Sequence, residues 1–457
     1  MIKEKTICAQ ATAPGDAGIA IIRISGQDAL KILKKVFRKK TDEFEPRHMY
    51  LGDVVSKGEV FDRALAVYFA APHSYTGENV CEIHTHGGAM AARLTIDALL
   101  SAGASLAEPG EFSKRAFLNG KMDVSQAEAI QDLIGALTEG GARASASQMR
   151  GALKQKIRSL QDRLTDCIAA IEAGIEYPEE DLEESLAEAQ KDELAAVRDE
   201  IAELINSYDK GKLLKEGAKI AIAGLPNVGK SSLLNRILGE ERAIVTKIAG
   251  TTRDVIAEYF NLNGIPVQFV DTAGIRQTQD EVEKIGVEKS YDAISSSALV
   301  LMLFDAARSI SKEDLEVLKD ISKAGVPVKV LLNKTDEEEP SVICADEVYR
   351  QTGFHPLEIS AKSGKNIDAL LNSIYSQISL DKSAMEGTVI VSLRHKNSLV
   401  CALRSLTDAI EQIRQGVDLD CMSIDLRASW DSLGEITGET LTEDIIDRIF
   451  TKFCLGK

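Results

Sequence analysis

Apolar residues change their spacing three times along the 457-residue chain, and each change marks a different kind of structure. Up to about residue 118 the apolar positions fall in short β-rich runs: residues 18–24 (Gly-Ile-Ala-Ile-Ile-Arg-Ile), 65–69 (Leu-Ala-Val-Tyr-Phe) and 80–84 (Val-Cys-Glu-Ile-His). Gly and Pro turns separate them, and a helical stretch follows Gly88, so an α+β domain is predicted.

From Ser125 the period becomes helical. Ile130, Leu133, Ile134 and Leu137 follow the i, i+3, i+4, i+7 rule, and Leu153, Ile157, Leu160, Leu164, Ile168 and Ile171 alternate steps of three and four. Tyr177-Pro178 breaks the pattern before another helix carrying Leu194, Val197, Ile201 and Leu204. Strand-and-helix texture then intervenes, and helical spacing returns after about Asp381 with Leu399, Leu403, Leu406, Ile410 and Ile413. The simplest account is a multidomain α/β protein in which one helical domain is made of two sequence halves. The predicted bounds are 1–118 for the N-terminal domain, 119–215 and 381–457 for the helical halves, and 216–380 for the insert. Close termini make such insertion feasible; two separate helical domains are the alternative.

Charge narrows the classes. A formal net charge of −17 argues against a protein that coats polyanions by bulk electrostatics. The richest basic stretch, Lys31 to Lys40, carries Ile32, Leu33, Val36 and Phe37 at helical spacing and reads as a solvated helix face. The seven cysteines are scattered and form no C-x-x-C pair, which points to neither disulfides nor zinc. No signal peptide or membrane span is visible, and Gly456 and Lys457 spoil a prenylation box at Cys454. A cytoplasmic protein with no membrane association is expected.

The insert holds the strongest chemistry. An apolar run, Ile220-Ala-Ile-Ala223, leads into Gly224-Leu-Pro-Asn-Val-Gly-Lys-Ser231, the G-x-x-x-x-G-K-S of a P-loop between strand and helix. Glycines let backbone N–H groups turn inward around phosphate oxygens, and the helix N-terminus adds its positive dipole end. Asn227, Val228, Gly229, Lys230, Ser231 and Ser232 are therefore assigned to the phosphates. Lys230 neutralises β/γ charge and the Ser231 hydroxyl ligates Mg²⁺. Downstream, Asp271, Thr272, Ala273 and Gly274 form a D-x-x-G at a strand end, and Asn333, Lys334 and Asp336 belong to an N-K-x-D. Asp336 can accept from both guanine N1–H and N2–H₂, donors that adenine lacks, so the site selects guanine. Ser360, Ala361 and Lys362 supply a further base loop. In the loop of Thr246, Lys247, Ile248, Ala249, Gly250, Thr251 and Thr252, the switch threonine for Mg²⁺ is Thr252. Ile275 stands where small GTPases place a water-orienting glutamine, so hydrolysis must recruit another group.

With residues 224–235 and 249–254 (Ala-Gly-Thr-Thr-Arg-Asp), three further segments carry a resemblance. They are residues 280–286 (Asp-Glu-Val-Glu-Lys-Ile-Gly), 109–119 (Pro-Gly-Glu-Phe-Ser-Lys-Arg-Ala-Phe-Leu-Asn) and the tail Phe453-Cys-Leu-Gly-Lys457. Over the whole chain the sequence resembles the bacterial-type tRNA modification GTPases known as MnmE or TrmE. The G motifs alone would also fit a ribosome-assembly GTPase acting as an RNA-binding switch. Residues 382–457, with 9 Lys/Arg against 12 Asp/Glu, disfavour the basic module such factors add.

The resemblance implies a homodimeric, K⁺-dependent GTPase. It would install an aminomethyl-type group (carboxymethylaminomethyl) on C5 of the wobble uridine of certain tRNAs. It would work with a partner, MnmG (GidA), that carries FAD, and with a tetrahydrofolate derivative in the 5,10-methylene or 5-formyl form. Asn227, Thr246, Ile248 and Thr251 match K⁺ ligands in place of an arginine finger, and Glu283 matches the glutamate that orients water. An exposed helix charge is the other reading of Glu283. Arg23, Glu82, Lys121 and Lys457 match the folate pocket, which makes the N-terminal domain folate-binding-like; Glu82, His84 and His86 on one strand face also admit a metal reading. Cys454 is either a reactive thiol near the folate chemistry or a small buried hydrophobe.

Overall fold

The computed structural model describes residues 5–176, 183–239, 243–247, 256–271, 294–336, 343–378, 390–415, 419–453 and 456. The chain divides into two compact units. One comprises Met1–Gln131, Gln148–Ile201 and Asn397–Lys457; the other comprises Asp132–Ser147 and Ala202–Lys396.

The first unit opens with a seven-stranded sheet in the order β3-β4-β5-β6-β2-β1-β7. Its elements are β1 (Ile7–Gln10), β2 (Ile19–Ser25), α1 (Ala29–Val36), β3 (Phe37–Arg38), β4 (Met49–Ser56), β5 (Glu59–Phe69), β6 (Val80–His86), α2 (Ala89–Ala102) and β7 (Ser105–Leu106). Neighbouring strands are antiparallel except β1 and β7. Alternation along each strand sorts residues by face. Cys8, Ile22, Ile24, Ala64, Ala66, Cys81 and Ile83 join the core of α1 and α2. On the opposite face, register aligns Met49, Val67, Glu82, Arg23 and Ala9 in one row across five strands. The basic stretch differs from its prediction at one residue: the helix stops at Val36, and Phe37 is buried as the first residue of a strand. Lys31, Lys34 and Lys35 are exposed, as a solvated face requires.

The helices of this unit are α3 (Glu111–Leu118), α4 (Val124–Ile134), α6 (Ala152–Glu176), the start of α7 (Glu183–Glu216), α13 (Leu419–Thr437) and α14 (Glu443–Phe450). Helix α5 (Glu139–Met149) lies mostly in the second unit, and α12 (Leu393–Gln415) begins there. The stripe expected on α4 is not its buried face. Val124, Ala127 and Ala129 are buried, Ile134 is 52% exposed, and Leu137 lies beyond the helix end. On α6 the buried line runs Leu153, Ile157, Leu160, Leu164, Cys167, Ile171, so Cys167 takes the place predicted for Ile168. Tyr177-Pro178 lies outside the described residues. Two ion-pair partners on α7, Glu193 and Glu200, hold Arg163 of α6. On α12, Leu399, Ala402, Leu406, Ala409 and Ile410 are buried. Helix α14 packs Ile446 and Phe450 with Phe453, Ala127 and Phe117, and Lys114 of α3 pairs with its Asp447.

The second unit is built on a second seven-stranded sheet, β14-β13-β12-β8-β11-β10-β9. Along the chain run β8 (Ala218–Ala223), α8 (Lys230–Leu238), β9 (Ala243–Lys247), β10 (Ile256–Leu262), β11 (Ile265–Asp271) and β12 (Leu299–Asp305). They are followed by α9 (Lys312–Lys323), β13 (Val328–Asn333), α10 (Ala345–Thr352), β14 (Leu357–Glu358) and α11 (Ile367–Ile378). Strands β11, β8, β12, β13 and β14 are parallel, and β10 is antiparallel to both neighbours. Every residue of β12 is buried, as an apolar run covered on both faces demands. Ile220 and Ile222 of β8 face a core shared with Leu233 of α8 and Leu370 and Ile374 of α11. Ala221 and Ala223 face the core that holds Leu318, Ile321 and Val348 of α9 and α10. Helices on both faces of a parallel-rich sheet place a ligand crevice at the carboxyl ends of its strands.

Candidate nucleotide site and a polar pair on the N-terminal sheet

Strand β8 ends at Ala223 and the chain turns through three left-handed positions, Gly224, Asn227 and Gly229, before α8 begins at Lys230. Such turns aim successive N–H groups into one concavity. A Cβ on Gly229 would lie 2.2 Å from Asn333 Nδ2, at a φ of +100°, so this glycine is required twice over. Val228 is buried beneath the loop, whereas Asn227, Ser231 and Ser232 are exposed on it. The Lys230 ammonium donates to the Gly224 and Leu225 carbonyls at 2.8 and 3.1 Å, folded over its own loop. Accessible amide and hydroxyl oxygens at Asn227 and Ser231 fit cation ligation beside a phosphate.

The base loops are fastened to this loop. Asn333, 2% exposed, donates from Nδ2 to the Val228 carbonyl at 2.8 Å and accepts at Oδ1 from Ala361 N–H at 3.0 Å. One side chain thus joins the P-loop, the N-K-x-D segment and the third loop. Lys334 sits at φ +68° with its ammonium on Asp305 Oδ2, 2.6 Å away, and Asp305 also accepts from Ala307 N–H. Thr335 donates to the Ile359 carbonyl, buried Ser360 accepts from Ser363 N–H, and Arg236 holds the Lys362 carbonyl. Asp336 follows at the half-exposed rim. Thr246 and Lys247 end β9 and Asp271 ends β11. Ile248, Ala249, Gly250, Thr251, Thr252, Thr272, Ala273, Gly274 and Glu283 lie outside the described residues.

In the first unit, Arg23 and Glu82 face each other across β2 and β6, with Nε and a terminal nitrogen each 2.9 Å from Glu82 Oε1. The guanidinium stands over the Tyr75 ring at 5.1 Å and near Phe112 at 5.9 Å. His84 Nε2 lies 3.3 Å from the other Glu82 oxygen. Burial pushes the Glu82 carboxyl upward, but the hydrogen bond from His84 and the charge and hydrogen bond of Arg23 outweigh it. The carboxyl is held below its usual range. His86 turns instead to Asp62, 2.6 Å away, so the three strand residues do not converge on one point. Lys121 donates to the Pro72 carbonyl. Gly456, at φ +88°, lies so close to β1 that a Cβ would be 2.0 Å from the Gln10 carbonyl oxygen. Cys454 and Lys457 lie outside the described residues. Cys8 and Cys81 are fully buried, and burial pushes the Cys8 thiol up to about 11 and the Cys81 thiol higher still, which leaves both unreactive.

Comparison with known proteins agrees with this layout. Residues 6–121 match the model described as "GTP-binding protein TrmE N-terminus", and residues 124–454 match "MnmE helical domain". The tRNA modification GTPase MnmE of Clostridioides difficile is 43% identical over the full length of both chains. The chain belongs to the MnmE family of tRNA modification GTPases. A second member, from Alkaliphilus metalliredigens, is 41% identical, again over the whole of both chains. Among solved structures, a point variant of Aquifex aeolicus Era bound to GDP.AlF4- is 28% identical, covering 41% of this chain and 66% of that one, with a TM-score of 0.31. As a member of the MnmE family the chain is a GTP hydrolase acting in tRNA modification. The helical-domain match runs from residue 124, before the P-loop, to residue 454, beyond the third base loop.

Four residues that structure these sites and their surroundings escaped the sequence reading. Asp305 ends a buried strand and looks like a turn residue; only the fold brings Lys334 to it. Tyr75 and Phe112 come from a loop and a helix remote from Arg23 in sequence. Arg115 reads as an exposed helix charge, yet it is buried on Glu78 and Glu111 and donates to the Lys5 carbonyl.

Proposed function

We propose that this GTPase works as a cytoplasmic homodimer that drives modification of C5 of the wobble uridine in certain tRNAs. The group added is of the aminomethyl type (carboxymethylaminomethyl). A tetrahydrofolate derivative supplies the carbon unit, and a partner of the MnmG type carries FAD. The observation that supports this reading most is the seat of the tail. Gly456 abuts Gln10, next in β1 to the residue paired with Arg23, so the C-terminal tail meets β1 beside the Arg23–Glu82 pair. A cationic planar donor beside a carboxylate suits the pterin and glutamate parts of a folate, and Lys121, Lys457 and Cys454 complete the proposed site. The exposed apolar side chains of Met49, Leu51 and Leu65 on the same sheet face favour association of two copies.

In the G domain, backbone N–H groups of the P-loop bind the phosphates and Lys230 swings from its loop carbonyls onto them. Asp336 reads guanine while Asn333 keeps the three loops in register. Mg²⁺ would be held by Ser231 and Thr252, and K⁺ by Asn227, Thr246, Ile248 and Thr251; these cations would supply positive charge to the developing phosphate negative charge. Glu283 orients the attacking water, the role left open by Ile275. The deciding experiment is mass spectrometry of wobble uridines in tRNA from cells lacking this protein. Loss of the modified base, restored by the wild-type chain, is expected; an unchanged nucleoside profile rejects the reading.

A further inference from the structure

Between α6 and α13 the surface opens into a cleft of about 280 Å³, lined by Thr165, Ile168, Arg427, Trp430 and Asp431. None of the roles above reaches it. Trp430 is the only tryptophan of the chain. It is fixed in two places: its indole Nε1 donates to Thr165 Oγ1 at 3.1 Å, and Gln161 Nε2 donates to its carbonyl at 3.3 Å. A ring already held loses little freedom when something stacks on it. The Arg427 charge is spent locally, because its guanidinium donates to Glu172, which Ser423 also contacts. The Asp431 carboxylate is exposed and, among the described residues, makes no hydrogen bond or ion pair. With Arg427 paired to Glu172, the unpaired charge among the described lining residues is the Asp431 carboxylate, and exposed Asp162 lies one turn before Thr165 on the same helix.

Phosphates are repelled by such a lining, whereas a cation gains both from the indole face and from a carboxylate at its edge. A guanidinium uses the two together, stacking flat and donating in parallel to carboxylate oxygens, which a lysine ammonium does less well. We propose that this cleft receives an arginine side chain presented by a protein partner. Free arginine is the poorer occupant, since its own carboxylate would face the acidic rim.

Trp430 is its own reporter. Fluorescence of the full chain is titrated with acetyl-Gly-Arg-Gly-amide, its lysine counterpart, free arginine and a uridine trinucleotide. A saturable change with the arginine peptide is expected in the millimolar range, as one side chain provides, with several-fold weaker binding of the lysine peptide. Asp431→Asn, an exposed change that leaves the unfolding midpoint in place, should weaken the arginine peptide by about tenfold. The proposal is overturned by no saturable change, or by equal binding to Asp431→Asn. Tighter binding of free arginine, or saturation by the trinucleotide instead, overturns it as well.

Discussion

Asn333 and Val228 stand 105 residues apart in sequence and are joined by a hydrogen bond of 2.8 Å beneath the P-loop. Asn333→Ala strands the Val228 carbonyl and the Ala361 N–H together, each a buried group that costs about 1–3 kcal/mol unpaired. GTP affinity should fall by roughly tenfold to a hundredfold, read by equilibrium titration.

Asp336→Asn tests the base assignment. One acceptor becomes a donor facing guanine N–H groups, so GTP binding should weaken by orders of magnitude while discrimination against other bases relaxes. Unchanged GTP affinity would remove Asp336 from the base site.

Hydrolysis should depend on K⁺ and on protein concentration, since the sequence offers no recognisable arginine-finger motif and such a finger is worth about 10³–10⁵ in rate. Equal GTPase rates in Na⁺ and K⁺ buffers would reject the cation. Glu283→Ala should lower kcat with little change in nucleotide affinity; a wild-type rate would make Glu283 a surface charge.

Gly456→Ala places a methyl 2.0 Å from the Gln10 carbonyl on a left-handed backbone. The tail should leave its seat, abolishing wobble-uridine modification with GTP binding intact. Cys454→Ser separates the thiol from packing: full modification activity in that variant assigns the cysteine a structural role only.

Acid should weaken the second unit through Asp314. Its carboxyl is closed off from solvent; burial raises its pKa, but hydrogen bonds from Arg308 and Ser311 and the Arg308 charge outweigh this and hold it below the ordinary 3.8. A depressed folded-state pKa means the stabilisation is present above the unfolded value, near pH 4, and disappears as pH falls through the folded value. Asp314→Asn should cost about 1–3 kcal/mol at neutral pH and flatten the acid limb of Tm against pH, followed by thermal unfolding.

What could be read from sequence was whatever is contiguous. A P-loop or an N-K-x-D needs its residue types side by side, so Gly224 to Ser231 and Asn333 to Asp336 announce themselves. The seven buried residues of β12 do the same by their unbroken apolar run. Helix faces were less legible where small residues do the packing. On α4 the large Ile134 is exposed while Ala127 and Ala129 are buried, and on α6 a cysteine, Cys167, occupies the line assigned to Ile168. Nothing local distinguishes Asp305 or Arg115 from solvated charges, because their partners arrive only with the tertiary fold.

The hydrogen bond from Gln161 to the Trp430 carbonyl spans 269 residues, nearly all of them belonging to other elements. On a ribosome adding about 5–20 residues per second, roughly 15–50 s separate the emergence of those two residues. Through that interval the α6 line from Leu153 to Ile171 has α7 for company but not α13, while the whole G domain is synthesised and free to fold. The nascent chain therefore carries a half-covered apolar helix past a finished GTPase, and its last stretch, α13 onward, closes the helical core.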